Sequence, residues 1–275
     1  WSSTFTYTHN RNKVLSLGEN NSDIYVGSLK PDGAADFETP FIIRKGQAIG
    51  SFYGYVYKGI VQPNDPALSS TQPNSTPGEP LYADVNGDGT VDANDRIILG
   101  VGIPTSFYGF TNTFSYHNFT LDVVMQAQTG GKLLNLQKED LMNPISQGNT
   151  LKSVITDTWS PDHPTGSIPP NGFYGNPYGG WVNSRFVESS DYIRMKNVTL
   201  TYNLPAALLQ HVGIAALSVY ANVQNLWTWT KYTGLDPEVG NLVDSQQANQ
   251  NAGRGIDFNA YPVNKMYILG AKVTF

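Results

Sequence analysis

Residues 105–129 read TSFYGFTNTFSYHNFTLDVVMQAQT, and this stretch alternates apolar and polar side chains in two consecutive runs. A period of two places successive side chains on opposite sides of an extended chain, so it predicts two β-strands. His117 and Asn118 separate the runs, and Asn tolerates the backbone angles of a two-residue reversal. The stretch is therefore predicted to form an antiparallel hairpin with one apolar and one hydrophilic face, to which Asn112 and Val124 are exceptions.

Each arm of this hairpin is long for a strand of a water-soluble protein. A length of about ten to twelve residues is close to what a tilted strand needs to cross a bilayer. Tyr108 and Tyr116 stand at the ends of the first apolar run, and the amphipathic rings of tyrosine favour the boundary between water and lipid. A long hairpin of a soluble β-sandwich also alternates, so the hairpin alone leaves both folds open.

The composition of the chain favours membrane strands over a soluble enzyme. Hydrophobic residues make up 40% of the 275 residues, 14% are charged, 12% are aromatic, and the mean hydropathy is -0.30. This combination suits strands that face lipid on one side and water on the other. A net charge of -5 offers no broad attraction to phosphates, so nucleic acid is not expected as a partner. The absence of cysteine excludes disulfides and thiolate zinc sites.

The alternation recurs along the chain and predicts six long strands. They are expected near residues 1–10, 105–116, 118–129, 191–204, 215–227 and 264–275. Short turns alternate with long polar loops, which are expected at 11–104, 130–190 and 228–263. Short turns on the periplasmic side and long loops outside are typical of outer-membrane barrels, whereas a sandwich has shorter and more uniform spacing. Because no run approaches the roughly 18 apolar residues of a membrane helix, we predict an all-β chain whose strands belong to an antiparallel transmembrane β-barrel with long extracellular loops.

Several strings in the chain are characteristic of one protein family. They are DYIRMKNVTLTYNLP (191–205), VQNLWTWTKYTGLDPE (223–238), DVNGDGTVDANDR (84–96) and GSFYGY (50–55), together with the central hairpin. In this order, and over essentially the whole chain, they resemble the C-terminal part of SusC/RagA-type TonB-dependent outer-membrane transporters. The resemblance implies a large barrel of about 22 strands with a plugged lumen, of which this chain would supply the last half-dozen strands.

The resemblance also implies a function, a location and a set of partners. We expect import of a large nutrient across the bacterial outer membrane, with an oligosaccharide or other glycan as the preferred cargo and a peptide as the open alternative. A SusD-like surface lipoprotein would cover the extracellular loops as a lid, and outer-membrane lipid would surround the wall. The chain starts in mid-strand at Trp1 with no basic or apolar leader. We therefore expect a piece of a longer protein, whose absent N-terminal region holds the signal peptide, the plug and the segment that contacts TonB.

Two other readings of the same patterns remain open at this point. One is a secreted or surface-bound glycan-binding β-sandwich with a dockerin-like calcium loop, which would stay soluble without detergent. The other is a purely structural porin, which the presence of a plug upstream of Trp1 would exclude. Enzyme signatures are missing, because the four histidines form no HExxH arrangement and no Gly-x-Ser-x-Gly elbow occurs. Catalysis is therefore not expected.

An acidic loop has the spacing of a calcium site. Its candidate ligands stand at positions 1, 3, 5, 7, 9 and 12 of a calcium-type loop and are Asp84, Asn86, Asp88, Thr90, Asp92 and Asp95. Ca²⁺ requires six to eight oxygen ligands, and Gly89 at position 6 permits the sharp turn. Position 12 is Asp95 rather than the usual Glu, so weaker binding is expected. We predict a structural Ca²⁺ in an exterior loop, with an Asx-turn-rich loop that binds no metal as the alternative.

An aromatic cluster lies in the second long loop. Its members are Phe173, Tyr174, Tyr178 and Trp181. Exposed aromatic rings are surfaces on which sugar rings stack, and Asn176 and Asn183 could supply hydrogen bonds beside them. We predict substrate contact at this cluster, and the alternative is that the rings pack the loop against its neighbours.

The C-terminal residues carry a candidate assembly signal. The pattern Gly270-x-x-Val273-x-Phe275 is similar to the terminal signal by which the barrel-assembly machinery recognises its clients. Any amphipathic closing strand shares part of this pattern. A phenylalanine at the very end favours the assembly interpretation.

Overall fold

A computed structural model of the chain describes residues 1–27, 39–142, 149–170, 182–210, 213–238, 252–258 and 260–275. The strands in chain order are β1 (Ser2–His9), β2 (Ile24–Val26), β3 (Phe41–Ile43), β4 (Ser51–Gly54), β5 (Tyr57–Ile60), β6 (Pro80–Tyr82), β7 (Ile97–Val101), β8 (Ser106–Tyr116), β9 (Phe119–Thr129), β10 (Lys132–Asn135), β11 (Val187–Ser189), β12 (Tyr192–Asn203), β13 (Ala216–Thr230), β14 (Ile256–Asp257) and β15 (Met266–Thr274). The helices are α1 (Leu136–Leu141), α2 (Lys152–Asp157) and α3 (Ala206–Leu209). Among the residues described, no helix has the length and apolar character needed to cross a membrane.

The six long strands form one antiparallel sheet in the order β1-β8-β9-β12-β13-β15. Each long strand lies beside the next long strand along the chain, as in the wall of an up-and-down barrel. The strands begin and end within three residues of the predicted ranges. The prediction of an all-β antiparallel fold is confirmed. β1 and β15 are the outer strands of the sheet, so the six strands form an open section of wall.

Short and long connections alternate at the two ends of this sheet. At the turn end, His117 and Asn118 join β8 to β9, and α3 lies in the connection from β12 to β13. His117 has a positive φ of 48°, the left-handed conformation that a two-residue hairpin turn requires. At the loop end, the long segments between β1 and β8, between β9 and β12 and between β13 and β15 leave and re-enter the sheet.

One face of the sheet, the apolar face, remains uncovered. The strand register places Phe5 opposite Phe110 and Phe110 opposite Met125. Phe110, Leu200 and Val273 are 39%, 47% and 42% exposed. A soluble sandwich would bury such a face under a second sheet. Here the strands present a continuous apolar surface, which in a membrane protein faces lipid.

Aromatic pairs lie at both ends of the apolar face. Within each pair the ring centroids are 4.7 to 6.4 Å apart. The turn end has Phe119–Tyr202 and Trp1–Phe114. The loop end has Tyr7–Tyr108 and Trp227–Trp229. Outer-membrane barrels carry girdles of aromatic rings at both membrane interfaces. The positions of these pairs therefore match the upper and lower boundaries of a lipid-facing band.

Asn112 interrupts the apolar face, and its contacts explain why. The side chain is buried, and its Oδ1 accepts hydrogen bonds from Trp1 Nε1 at 3.1 Å and from Ser3 Oγ at 2.8 Å. A buried amide is tolerated when its polar atoms are hydrogen-bonded. The side-chain donors at Trp1 and Ser3 thus provide the hydrogen bonds that the buried Asn112 oxygen requires.

The opposite face, the hydrophilic face, carries hydroxyl, amide and charged side chains that bond across strands. Thr113 Oγ1 donates to Asp122 Oδ1 at 2.5 Å. Asn222 Nδ2 donates to Asn197 Oδ1 and to Thr199 Oγ1, both at 2.6 Å. A polar lining of this kind is found on the inner side of membrane barrels.

The buried core lies in the long segments at the loop end. These segments form the small sheets β2-β3-β4-β7 and β11-β10-β14 and the pair β5-β6. The core cluster consists of Val26, Phe41, Phe52, Leu134, Leu136, Val182, Phe186, Ala252 and Ile256. The segments predicted as loops at 11–104, 130–190 and 228–263 therefore contain paired strands. Strands of three to five residues are too short to show a periodicity in the sequence.

Candidate functional site

Arg194 lies on the hydrophilic face of β12 near the loop end, and its side chain is 1% exposed. The guanidinium donates to Thr228 Oγ1 at 2.8 Å, to Asp236 Oδ1 at 2.6 Å and to Glu238 Oε2 at 2.7 Å. A buried charge requires such partners, because desolvation otherwise makes it strongly unfavourable. Arg194 therefore holds residues 231–238 against the inner side of the wall.

Two further hydrogen bonds fasten the chain on either side of the last long loop. Asp236 Oδ2 accepts the backbone N–H of Val263 at 3.1 Å. The Tyr232 hydroxyl donates to Asp257 Oδ2 at 2.5 Å. Burial raises the pKa of Tyr232, and the hydrogen bond to Asp257 raises it further, so the hydroxyl stays a donor. The segments after β13 and before β15 are thus tied into one layer at the loop end.

Glu188 in β11 links this layer to α1. Its Oε1 accepts from Lys138 Nζ at 2.9 Å and from the Thr233 hydroxyl at 2.7 Å, while Oε2 accepts the Thr233 N–H at 2.8 Å. Burial alone would raise the pKa of Glu188, but the hydrogen bonds from Lys138 and Thr233 outweigh it and the pKa is lowered. The carboxylate is therefore ionised and holds three segments together.

Glu139 in α1 lacks comparable partners. Its side chain is 3% exposed, and its Oε1 accepts no hydrogen bond. Burial raises the pKa of Glu139 to about 8, with a smaller contribution from the charge of Asp140. The carboxyl is therefore mostly protonated at neutral pH. No local sequence pattern distinguishes this residue from an exposed helical Glu.

The predicted calcium loop lies between β6 and β7 and is closed by hydrogen bonds of its own. Asp84 accepts the N–H groups of Gly87 at 2.7 Å and Gly89 at 2.9 Å. Asp88 accepts the N–H of Thr90 at 2.9 Å. Gly89 has a φ of 89°, a conformation that glycine adopts without strain. The turns of this loop are therefore closed by hydrogen bonds from its backbone N–H groups to its own acidic side chains.

Asp95 closes this loop from a buried position. Its Oδ1 accepts from the N–H groups of Val85 at 2.7 Å and Asn86 at 3.3 Å, and its Oδ2 accepts from Asp92 N–H at 2.8 Å. A carboxylate has about four acceptor positions, so three of them are already used. Across the part of the chain that the structure describes, no three His, Asp or Glu side chains are grouped as a metal site. The arrangement observed is held by hydrogen bonds of the protein.

The predicted aromatic cluster of Phe173, Tyr174, Tyr178 and Trp181 lies outside the described residues. Asn183, named beside it as a hydrogen-bonding group, is buried, and its Oδ1 accepts the N–H of Arg185 at 3.0 Å. Asn183 therefore serves the fold of the loop. Substrate contact at the aromatic cluster stays a prediction.

The candidate assembly residues run from the middle of β15, at Gly270, to the turn end, where Phe275 follows the strand. Gly270 passes closely over the ring of Tyr220, since a Cβ at this glycine would lie 2.4 Å from Tyr220 Cζ. Val273 is on the apolar face opposite Leu217, and Phe275 follows the strand with its ring almost fully exposed. Packing within the sheet thus explains the glycine, whereas nothing described contacts the terminal ring closely enough to bury it.

Comparison with known proteins places this chain among membrane receptors. No protein-family model matches the chain. Over its whole length it is similar to TonB-dependent receptor P3 of Formosa agariphila, with 34% identity over 277 residues, and to TonB-dependent receptor SusC of Bacteroides thetaiotaomicron, with 26% identity over 278 residues. The chain covers 27% and 24% of these relatives, so it spans about a quarter of their length.

Solved structures share the fold. The RagAB peptide transporter superposes with a TM-score of 0.75 and 24% identity, over 99% of this chain and 26% of that chain. The RagAB peptide importer in the open-open state gives a TM-score of 0.71 and 23% identity. The similarity covers both the long-stranded wall and the packed loops, since almost all of this chain is aligned.

Proposed function

Because this chain belongs to the SusC/RagA-type TonB-dependent receptors of the bacterial outer membrane, we propose that the protein of which it is part imports an oligosaccharide with energy supplied through TonB. The observation that carries this proposal is the two-faced sheet. Its apolar face is exposed, as a wall in contact with lipid requires. Its hydrophilic face supplies hydroxyl and amide groups along the route of a polar cargo.

The chemistry of the hydrophilic face supports a glycan as the cargo. Hydroxyl and amide side chains such as Thr199, Asn197 and Asn222 both donate and accept hydrogen bonds, as sugar hydroxyls do. The RagAB structures are those of a peptide transporter, so a peptide is the cargo class from which the experiment must distinguish a glycan.

The packed layer at the loop end is suited to receive a partner. Arg194 and Glu188 hold this layer at the end of the wall through ion pairs, and a surface that is already ordered loses less entropy on association. In the proposed complex a SusD-like lipoprotein covers the layer as a lid. TonB acts on the region of the protein outside this chain.

Uptake by cells tests the proposed function. Cells that express the full transporter with its lipoprotein partner are given labelled oligosaccharides and labelled oligopeptides of similar size, with and without functional TonB. We expect uptake of oligosaccharide that stops when TonB is removed. Uptake of peptides alone would exclude the glycan cargo, and uptake that persists without TonB would indicate a porin.

We also propose that the loop at residues 84–95 binds Ca²⁺ as a structural ion. Asp84, Asn86 and Asp88 provide side-chain oxygens within one exposed turn, and the carbonyl of Thr90 provides a backbone ligand of the kind calcium prefers. Binding requires these side chains to share their oxygens between the ion and the N–H groups that they accept now. Asp92, directly or through a water, and the closing carboxylate of Asp95 complete the proposed set of ligands.

Calcium removal tests this site in the purified transporter. With Ca²⁺ present we expect the loop near Asp88 to resist protease, and we expect cleavage there to become severalfold faster in EGTA. The double variant Asp84→Asn/Asp88→Asn should be cleaved at the fast rate in both conditions. Equal cleavage of the wild-type loop with and without calcium would show that hydrogen bonds alone hold it.

We further propose that Gly270, Val273 and Phe275 form the signal that the barrel-assembly machinery recognises. The exposed position of Phe275 at the turn end supports this role, because an exposed ring is free to dock on another protein.

A further inference from the structure

A cavity of about 250 Å³ lies at the loop end of the sheet, beside the ends of β1, β8 and β9. Asn10, Thr105 and Gly130 line it. These residues continue the strand register by one position, with the Asn10 N–H donating to the Thr105 carbonyl at 2.8 Å. In this register the three positions lie on the same side of the sheet as the hydrophilic face. The cavity therefore lies on the inner side of the wall, where cargo would enter.

Two positively charged side chains, Arg11 and Lys13, line this cavity. A Cβ built on Gly46 would lie 4.0 Å from Lys13 Cε. The Lys13 side chain therefore passes beside Gly46. Neither cation forms an ion pair with a described residue, and no acidic side chain of the described ranges lines the cavity. A concave site with charges of one sign raises the local concentration of counter-ions.

Two carboxylates of the surrounding segments, Asp191 and Asp23, have other partners. Asp191 Oδ1 accepts the N–H of Gly130 at 2.8 Å. Asp23 accepts hydrogen bonds from Arg44, with Nη2 and Oδ2 2.7 Å apart. Neither carboxylate pairs with Arg11 or Lys13. The positive charges of these two side chains are therefore available to a ligand.

Two amide side chains complete the set of donors. Asn12 Oδ1 accepts the N–H of Ile49 at 2.7 Å, which leaves the Asn12 Nδ2 group as the donor for a ligand. The Gln47 backbone is bonded on both sides, to Arg44 at 3.0 Å and to Val14 at 2.8 Å, so its side chain extends from a fixed position. Together with a guanidinium fork, which matches carboxylate and sulfate oxygens, these donors suit an oxyanion.

We infer that this cavity binds the negatively charged group, carboxylate or sulfate, of an acidic oligosaccharide cargo. The inference rests on the proposed import function and narrows its substrate class to acidic glycans. Arg11 and Lys13 supply the attraction, and Asn12 and Gln47 supply directional hydrogen bonds. Because both cations contact solvent, added salt weakens the binding.

Calorimetric titration of the full transporter in detergent tests the site. The ligands are inorganic sulfate and one dextran oligosaccharide in sulfated and unsulfated forms. The site variant is Arg11→Gln/Lys13→Gln, and the matched control is Lys58→Gln/Lys152→Gln, which removes the same charge from exposed positions elsewhere. We expect wild type and control to bind the sulfated oligosaccharide, and the site variant to bind it about tenfold more weakly, a loss that corresponds to about 1.4 kcal/mol.

The outcomes separate this inference from the proposed function. A site variant that binds sulfate and the sulfated oligosaccharide as the wild type does would overturn the inference, as would a wild type that binds neither. Thermal unfolding of each variant shows whether it is folded. TonB-dependent uptake of neutral glycans without any anion binding would leave the import function standing and remove the anion site. Anion binding without glycan uptake would support the anion site and exclude the proposed import function.

Discussion

At the scale of single residues, hydrogen bonding decides which buried carboxyl groups keep their charge. Glu188 receives hydrogen bonds from Lys138 and Thr233, and its pKa is lowered despite burial. Glu139, in the neighbouring helix, is buried without a partner for its Oε1, and its pKa is raised to about 8. The same residue type therefore acts as an ionic link in one place and as a neutral group in the other.

The raised pKa of Glu139 predicts a pH dependence of the packed loops. The folded state holds this proton up to about pH 8, whereas the unfolded state releases it near 4.5. The native state therefore binds more protons between these values, and stability falls as pH rises through this window. We expect the free energy of local unfolding around α1 to drop by a few kcal/mol from pH 5 to pH 8, measured by hydrogen exchange.

A matched pair of variants isolates this effect. Glu139→Gln removes the titrating group and should flatten the pH dependence, while Glu19→Gln, at an exposed position, should leave it as in the wild type. An equally steep profile in Glu139→Gln would assign the pH dependence to other groups.

At the scale of elements, the wall and the loop layer are joined through β12. Arg194 extends from this strand to Asp236 and Glu238, which follow β13 in the chain. The pair Arg194–Asp236 is almost completely buried, so loss of one partner leaves an uncompensated charge. The buried Arg194 therefore makes the main ionic contact between the wall and the segment 231–238.

Replacement of Arg194 predicts a selective release of this segment. We expect Arg194→Met to destabilise the packing of residues 231–238 by roughly 3–5 kcal/mol and to raise the rate of hydrogen exchange there. Lys196→Met should have a small effect, because the Lys196 ammonium is half-exposed and 3.6 Å from Glu238. The double variant Arg194→Met/Asp236→Asn should recover part of the loss. Unchanged exchange in Arg194→Met would mean that other contacts hold the segment.

At the scale of the whole molecule, the fold has its apolar surface outside and its polar surface inside the wall. The side chains of the apolar face are half-exposed, while the buried core lies in the loops at one end. This distribution is the reverse of that in a soluble β-sandwich, and it is stable when lipid covers the apolar face.

Neighbouring residues of β12 provide a test of this arrangement. Leu200 lies on the apolar face and Thr201 on the hydrophilic face. Arginine on the lipid side is unfavourable by roughly 1–4 kcal/mol, depending on depth, so Leu200→Arg in the full transporter should lower the urea midpoint of unfolding in bilayers. Thr201→Arg should shift it little. Equal effects of the two changes would contradict the assignment of the faces.

The long strands and their two faces could be predicted from the sequence, because a period of two is a local property of each strand. The positions of the aromatic residues along the strands were equally readable, as was the oxygen-rich character of the loop at 84–95. Local patterns did not delimit short strands such as β2 and β3, which are too brief for a period to appear. They also gave no sign that Glu139 is buried with its Oε1 accepting no hydrogen bond.

The alternation that gives each long strand a lipid side and a water side is therefore a local property that the sequence specifies. Which polar residues meet depends on the tertiary fold. Arg194 bonds to Asp236 across 42 positions in the chain, and Lys138 bonds to Glu188 across 50. Arg11 and Lys13 share a cavity with Gly130 only because β1, β8 and β9 align there. Pairs so distant along the chain are brought together by strand register and loop packing, which no local pattern encodes.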